Sequence, residues 1–226
     1  MNQPAAAEVG AEAIEIRAGA QTDLFRDPGT SGSISNAPLF YRAAPAEFTV
    51  GATVSPGFGS TYDAGAIIFW LNEESWVKLA FEYTDLGYPA IVSVVTRERS
   101  DDCNGERMRE GDTVALRVSR REGLLGLYYA VDGGSWKMHR LLSLAGAAGV
   151  ADPADGAAGA DAGDAEGGAG GAAGVAVPAR GPGRGQQMVE PRIGLSAQSP
   201  TGQGCTVRFT DLSWDDAAVR DFRAGV

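Results

Sequence analysis

Histidine occurs once in this 226-residue chain and cysteine twice. A single imidazole, His139, cannot build a His-rich zinc site. A Ser-His-Asp triad would rest wholly on it, and no G-x-S-x-G elbow presents a serine. Two cysteines are too few for a disulfide framework. Cys103 lies in the acidic loop SDDCNGE, where a thiolate is disfavoured. Cys205 shares strand phase with Val207 and Phe209 and reads as a small core residue. Basic residues are outnumbered, 19 Lys and Arg against 29 Asp and Glu, for a formal net charge of −10. A nucleic-acid partner would require the opposite balance. No apolar run approaches the roughly 20 residues of a membrane span. The N-terminus MNQPAAAEVGAEAIEI has no basic start and carries Glu8, Glu12 and Glu15, which is wrong for a signal peptide. None of Asn2, Asn36, Asn72 and Asn104 stands in an N-x-[ST] acceptor. These absences predict a cytoplasmic protein with free thiols and no metal, cofactor, nucleic-acid or membrane partner.

Short strand patterns fill most of the chain. EFTVGATVS sets Phe48, Val50, Ala52 and Val54 against Thr49, Gly51 and Thr53, the period of two that belongs to strands. AGAIIFWL and PAIVSVVTRE are apolar on both faces, as central strands are. DTVALRVSRR alternates Val114, Leu116 and Val118 with Ala115, Arg117 and Ser119. LLGLYYAVDGGSWKMHRLL reads as a hairpin turning at residues 131–135, where glycine supplies positive φ. PRIGLSAQS and CTVRFTDLSW give two closing strands. Helical periodicity is nearly absent; SWDDAAVRDFRAG alone fits a short C-terminal helix, capped by Ser213 or Asp215 and ended by Gly225.

Between Leu144 and Met188 the composition falls to Ala, Gly, Asp and Pro, with no aromatic residue. Such a stretch cannot offset its own ordering entropy. The expected organisation is a tail and first strand over 1–20, then one sandwich domain over 21–226, interrupted by a disordered insertion at 145–187. A long flexible loop is tolerated because closure entropy grows only logarithmically with length.

The stretch SWVKLAFEY carries the chemistry. Val77, Leu79, Phe81 and Tyr83 form one strand face and read as core. Trp76, Lys78, Ala80 and Glu82 form the other, where a large aromatic, a cation and a carboxylate sit together. At about 3.3 Å per residue, Lys78 and Glu82 are roughly 13 Å apart and cannot pair with each other. They look to neighbouring strands, to water or to a ligand. A glycosidase would need a second carboxylate about 5–9 Å from Glu82, from Asp63, Glu98 or Asp101.

The ordered segments YDAGAIIFWLNEESWVKLAFEY, SVVTRERSDD, LYYAVDGGSWKMHRLL, RIGLSAQSP and VRFTDLSW resemble the uncharacterised concanavalin A-like family named "regulation of enolase protein". The resemblance spans nearly the whole chain outside the N-terminal tail and the Ala/Gly stretch. Its most specific pieces are the W-x-K-x-x-x-E of NEESWVKLAFEY, SVVT with the following SD, and DGGSW. It implies an all-β fold, a two-sheet antiparallel jelly-roll sandwich with a concave face. On that face it implies Trp76, Lys78 and Glu82, with Thr96 and Asp101 close by. Tyr62 and Asp63 match the family's Y-D-x-A-G element, with one residue missing between Asp63 and Ala64. Asp102 stands where the family often has Trp. The resemblance brings no enzymatic chemistry, and its name implies a regulatory link to glycolysis in fungal members.

Together these features point to a non-catalytic, lectin-like module that binds a carbohydrate or a small polar, sugar-like metabolite. The candidate ligand-binding residues are Tyr62, Asp63, Trp76, Lys78, Glu82, Thr96 and Asp101, with Trp76 stacking on sugar C–H surfaces. Two alternatives remain: a glycoside hydrolase using Glu82, and an interaction module for a metabolic enzyme.

Overall fold

A computed structural model describes residues 2–109, 111–144 and 190–226. The insertion expected at 145–187 lies outside the described residues. Two antiparallel sheets face each other. One has seven strands, in the order β1 (Ala6–Val9), β2 (Ala13–Arg17), β15 (Thr206–Asp215), β6 (Phe48–Pro56), β11 (Val114–Arg121), β12 (Leu124–Val131) and β13 (Lys137–Ser143). The other has six, in the order β10 (Arg99–Arg107), β9 (Pro89–Arg97), β8 (Ser75–Tyr83), β7 (Ala64–Asn72), β14 (Arg192–Gln198) and β5 (Phe40–Ala43). This is the all-β jelly-roll sandwich expected from the sequence.

The period-two faces pack as the alternation dictates. Phe48, Ala52, Val54, Val114, Leu116 and Val118 meet Ile67, Phe69, Val77, Leu79, Phe81 and Ile91 in one core between the sheets. The sheets approach closely at Gly65, where a Cβ would stand 2.5 Å from methyl groups of both Val54 and Val207. The hairpin between β12 and β13 turns through Asp132 (φ 51°) and Gly133 (φ 69°), with Gly134 N–H donating to Val131 C=O at 2.9 Å.

Two further layers lie outside the sandwich. On the seven-stranded side, Val219 and Phe222 cover Tyr128, whose hydroxyl donates to Phe222 C=O at 2.7 Å. The C-terminal helix expected here does not form. Ser213 and Asp215 belong to β15, and the chain beyond runs as turns. Asp215 and Asp221 side chains accept N–H groups from Ala217, Arg223 and Ala224, two or three residues on. Such local bonds compete directly with helical ones.

On the six-stranded side, the small hairpin of β3 (Leu24–Arg26) and β4 (Ser33–Ser35) and the segment after it lie across the sheet. Leu24, Ala37 and Leu39 pack on Ala64, Ala66, Ile68, Trp70, Trp76 and Ala80, forming a second buried cluster. Polar clamps fix this cover at its margins. Arg26 N–H donates to Ser100 Oγ at 2.9 Å, and its guanidinium to the carbonyls of Glu98 and Glu73. Thr22 and Ser199 exchange both backbone bonds.

The acidic segment read from the sequence as a loop is the edge strand β10, paired with β9 through Cys103↔Ser93 and Asp102↔Val94. Its side chains are largely exposed. An edge strand with charged side chains shows no apolar alternation, and the charges discourage pairing with other chains. Cys103 is exposed, Cys205 is buried, and both are free thiols.

Candidate functional site

Sheet pairing places β8 between β7 and β9, and the cover then decides what its outer face becomes. Trp76 is 1% exposed and stacks on Trp70, ring centroids 5.3 Å apart and planes 11° from parallel. Its neighbours Leu24, Ala37 and Leu39 close it off. The expectation of an open sugar-stacking tryptophan is therefore corrected: Trp76 is core. Its Nε1 finds no hydrogen-bond partner among the described residues.

Further along the same face the cover thins and a small cavity opens, about 220 Å³. Its polar lining is Asp23, Tyr62, Lys78, Glu82 and Asp102; Phe25, Val92, Val94 and Pro200 supply apolar walls. Lys78, 3% exposed, donates to Gln198 Oε1 at 3.0 Å and to Asp23 Oδ1 at 3.4 Å. Glu82 is 7% exposed, and no described residue donates a hydrogen bond to its carboxyl. Burial pushes that carboxyl from 4.5 up to about 7; the Lys78 ammonium opposes the rise, and Asp23, Asp102 and Asp85 add to it. Tyr62 sits in the left-handed region (φ 69°), which turns it toward the cavity from the loop before β7. Its phenol is raised by burial, then by Asp85 and Glu82.

The structure thus brings Tyr62, Lys78 and Glu82 together and separates the other candidates. Asp63 is fully buried; its Oδ2 accepts from Gly59 and Ser60 N–H, both at 2.9 Å, and its Oδ1 from Ser199 Oγ at 2.7 Å. Two of these bonds hold the turn that carries Tyr62, and the third ties that turn to Ser199. Thr96 is buried with its hydroxyl 2.8 Å from Ser100 Oγ, facing the cover rather than the cavity. Asp101 pairs with Arg140 at 3.1 Å. Its strand partner Val95 faces the inter-sheet core, whereas Val94, partner of Asp102, faces the cover. So Asp101 points away from the cavity and Asp102 lines it. Asp102 adds a third carboxyl to a lining that already holds Asp23 and Glu82.

Sequence reasoning missed Asp23 and Phe25. They reach the cavity only through the hairpin that crosses the sheet, and a cover of three-residue strands leaves no periodic signal. A pointer existed in Lys78, a cation on a strand face with no counter-charge of its own.

Elsewhere, His139 Nε2 is 2.9 Å from Ser93 Oγ, and burial lowers the imidazole pKa. Ser93 is sealed between the sheets and His139 is half-buried, so the pair packs against the core. A larger opening of about 660 Å³ lies between Phe58, Tyr83, Tyr88 and Arg107. Arg107 already sits over the Tyr88 ring at 4.5 Å, and no carboxyl group lines this opening. The smaller cavity, with its unbonded carboxyl, is the stronger candidate.

Comparison with known proteins agrees with this architecture. The family described as "Protein of unknown function (DUF1349)" matches residues 1–162. "Regulation of enolase protein 1" of Saccharomyces cerevisiae is 23% identical over 141 residues, covering 62% of this chain and 71% of that protein. A functionally unknown protein from Saccharomyces cerevisiae superposes with a TM-score of 0.69 at 18% identity, over 97% of this chain and 96% of the other. A xylan β-1,4-xylosidase from Bacillus halodurans C-125 superposes with a TM-score of 0.60 at 10% identity, over 93% of this chain and 38% of that enzyme. At these identities the structural likeness is one of fold.

Proposed function

The chain belongs to the DUF1349 family of proteins of unknown function, and from that premise we propose that it is a non-catalytic, lectin-like module. Its ligand is a carbohydrate or small sugar-like metabolite, held in the cavity between β8 and the β3–β4 cover. The Glu82 carboxyl carries this reading, being almost fully buried, facing a cavity and receiving no hydrogen bond from the described residues. Buried polar groups are nearly always hydrogen-bonded, and a ligand hydroxyl would complete this one. Lys78 has three donors and uses two, on Gln198 and Asp23, which leaves one for a second hydroxyl. The Tyr62 phenol can give or accept. Phe25, Val92 and Val94 offer apolar surface to sugar C–H groups.

The volume, about 220 Å³, falls below the range of about 300–1,000 Å³ that suits drug-sized ligands. It fits one sugar ring and argues against a cleaved glycosidic bond, which needs room on both sides. A second reading, glycoside hydrolysis, is favoured by one observation: Glu82 titrates at about 7, as a general acid does, with Asp102 as a second carboxylate. In the binding reading Asp63 and Thr96 support the site and Asp101 lies outside it. The name of the yeast relative supports a regulatory setting in carbohydrate metabolism, with a metabolic enzyme as partner; the cytoplasm is proposed as the location on the sequence features alone.

The test is a panel of neutral mono- and disaccharides and polyols followed by NMR, on wild type and on Glu82→Gln and Lys78→Met. Binding in the cavity, weakened by both substitutions, supports the reading. Binding that ignores both substitutions removes the cavity from the function. Turnover of aryl glycosides, lost in Glu82→Gln, would transfer the case to the hydrolase.

A further inference from the structure

The chemistry of this cavity narrows its ligand, an inference that rests on the sugar-binding reading above. Three carboxyl groups, Asp23, Glu82 and Asp102, share the lining with one ammonium, Lys78. Lys78 is already engaged by Asp23 at 3.4 Å and by Gln198 at 3.0 Å. Glu82 and Asp102 are left without a matching cation. Asp102 is exposed enough to be solvated, but Glu82 is not. A buried carboxylate is retained at large cost unless something pairs with it. The described residues supply no hydrogen bond to it, so the partner comes from the cavity.

We propose that the cavity takes a ligand carrying a positive charge, an amino sugar or small hydroxylated amine, with its ammonium against Glu82 and Asp102, and that it turns away phosphorylated sugars. An ammonium supplies both the counter-charge and the hydrogen-bond donors that Glu82 lacks. A neutral sugar supplies only donors. A phosphate would bring two further negative charges beside three carboxyl groups and find a single lysine with one donor left.

The charged and titratable groups facing Glu82 come from every surrounding element: Lys78 on its own strand, Asp23 from the segment before β3, Tyr62 from the loop before β7, Asp102 from β10, and Asp85 just beyond β8. Glu82 itself passes from acid to carboxylate across neutrality, its carboxyl standing at about 7. The cationic ligand therefore binds better as pH rises from 6 to 8, and its binding releases a proton from Glu82.

The experiment uses three forms of one sugar: glucose, 6-amino-6-deoxyglucose and glucose 6-phosphate, titrated calorimetrically into the full chain at pH 6 and pH 8. The 6-amino form keeps its ammonium throughout this range. The expected result at pH 8 is amino tighter than parent by about tenfold or more, the size of one charge-assisted contact, and no detectable binding of the phosphate. The amino form should gain affinity between pH 6 and 8 and release a proton, read as a heat that depends on the buffer. Glu82→Gln should abolish both the gain and the release while still folding. If the parent binds as tightly as the amino form, or the phosphate binds best, the charge inference is overturned and the sugar-binding reading stands. If all three are silent the inference is also overturned, and the neutral panel separately decides whether the sugar reading falls with it.

Discussion

Replacing Glu82 by glutamine keeps the side chain's shape and removes its charge, and the structure fixes how stability should then depend on pH. The carboxyl stands at about 7 in the folded chain against an ordinary 4.5, raised chiefly by burial. At about 1.4 kcal/mol per pH unit, that gap amounts to about 3 kcal/mol. The sign follows from proton binding. Between pH 4.5 and about 7 the folded chain holds this proton and the unfolded chain has lost it, so wild-type stability falls as pH rises through that window. Glutamine carries no such dependence. The stability of Glu82→Gln relative to wild type should therefore rise by about 2–3 kcal/mol between pH 5 and pH 8. Urea denaturation followed by tryptophan fluorescence measures it, with Trp70 and Trp76 stacked close by as reporters. His139, whose pKa is lowered by burial, makes stability rise with pH, but it is common to both chains and cancels in the difference. Parallel curves across the range would refute the buried, uncompensated carboxyl. A variant that loses stability at pH 8 would show instead that attraction to Lys78 outweighs burial.

Trp76→Ala should cost about 3–5 kcal/mol, matching Phe81→Ala on the opposite face of β8, because both side chains are core; a loss within about 0.5 kcal/mol of zero would place Trp76 on a surface. Thiol titration of the native chain should find one fast-reacting cysteine, Cys103, and a second, Cys205, only on unfolding. Burial raises the Cys205 thiol to about 12, so rapid native labelling of both would contradict its place in the core.

The faces of the strands were legible because alternation is a local property. Val77, Leu79 and Phe81 on one side of β8, and the doubly apolar β7, fall where their patterns place them. What lies over a face is not local. Trp76 read as open because nothing in SWVKLAFEY reveals that Leu24, Ala37 and Leu39 arrive from some 40 to 50 residues upstream to seal it. The same blindness hid Asp23 and Phe25 from the site. Lys78 and Glu82 were recovered for a physical reason, since charges on a strand face must be matched by something. Asp102 had been noted only as a departure from a family pattern. The edge strand β10 was missed because edges are kept free of the apolar repeat that identifies interior strands.

The order of strands in the two sheets also dictates a schedule for making the protein. β2 joins its sheet only through β15, and β5 joins the other only through β14. Both closing strands come after every other strand of their sheets in the chain, so β2 and β5 leave the ribosome long before the strands that tie them to the sandwich. Meanwhile β6–β11–β12–β13 and β7–β8–β9–β10 can assemble as two open half-sheets with raw edges at β6 and β7. During synthesis those edges are the natural target for a chaperone, and for misassembly if none is present. Pairing across nearly the full chain length also makes closure intrinsically slow. The sandwich is laced shut by β14 and β15, and its nascent chain is most vulnerable just before they emerge.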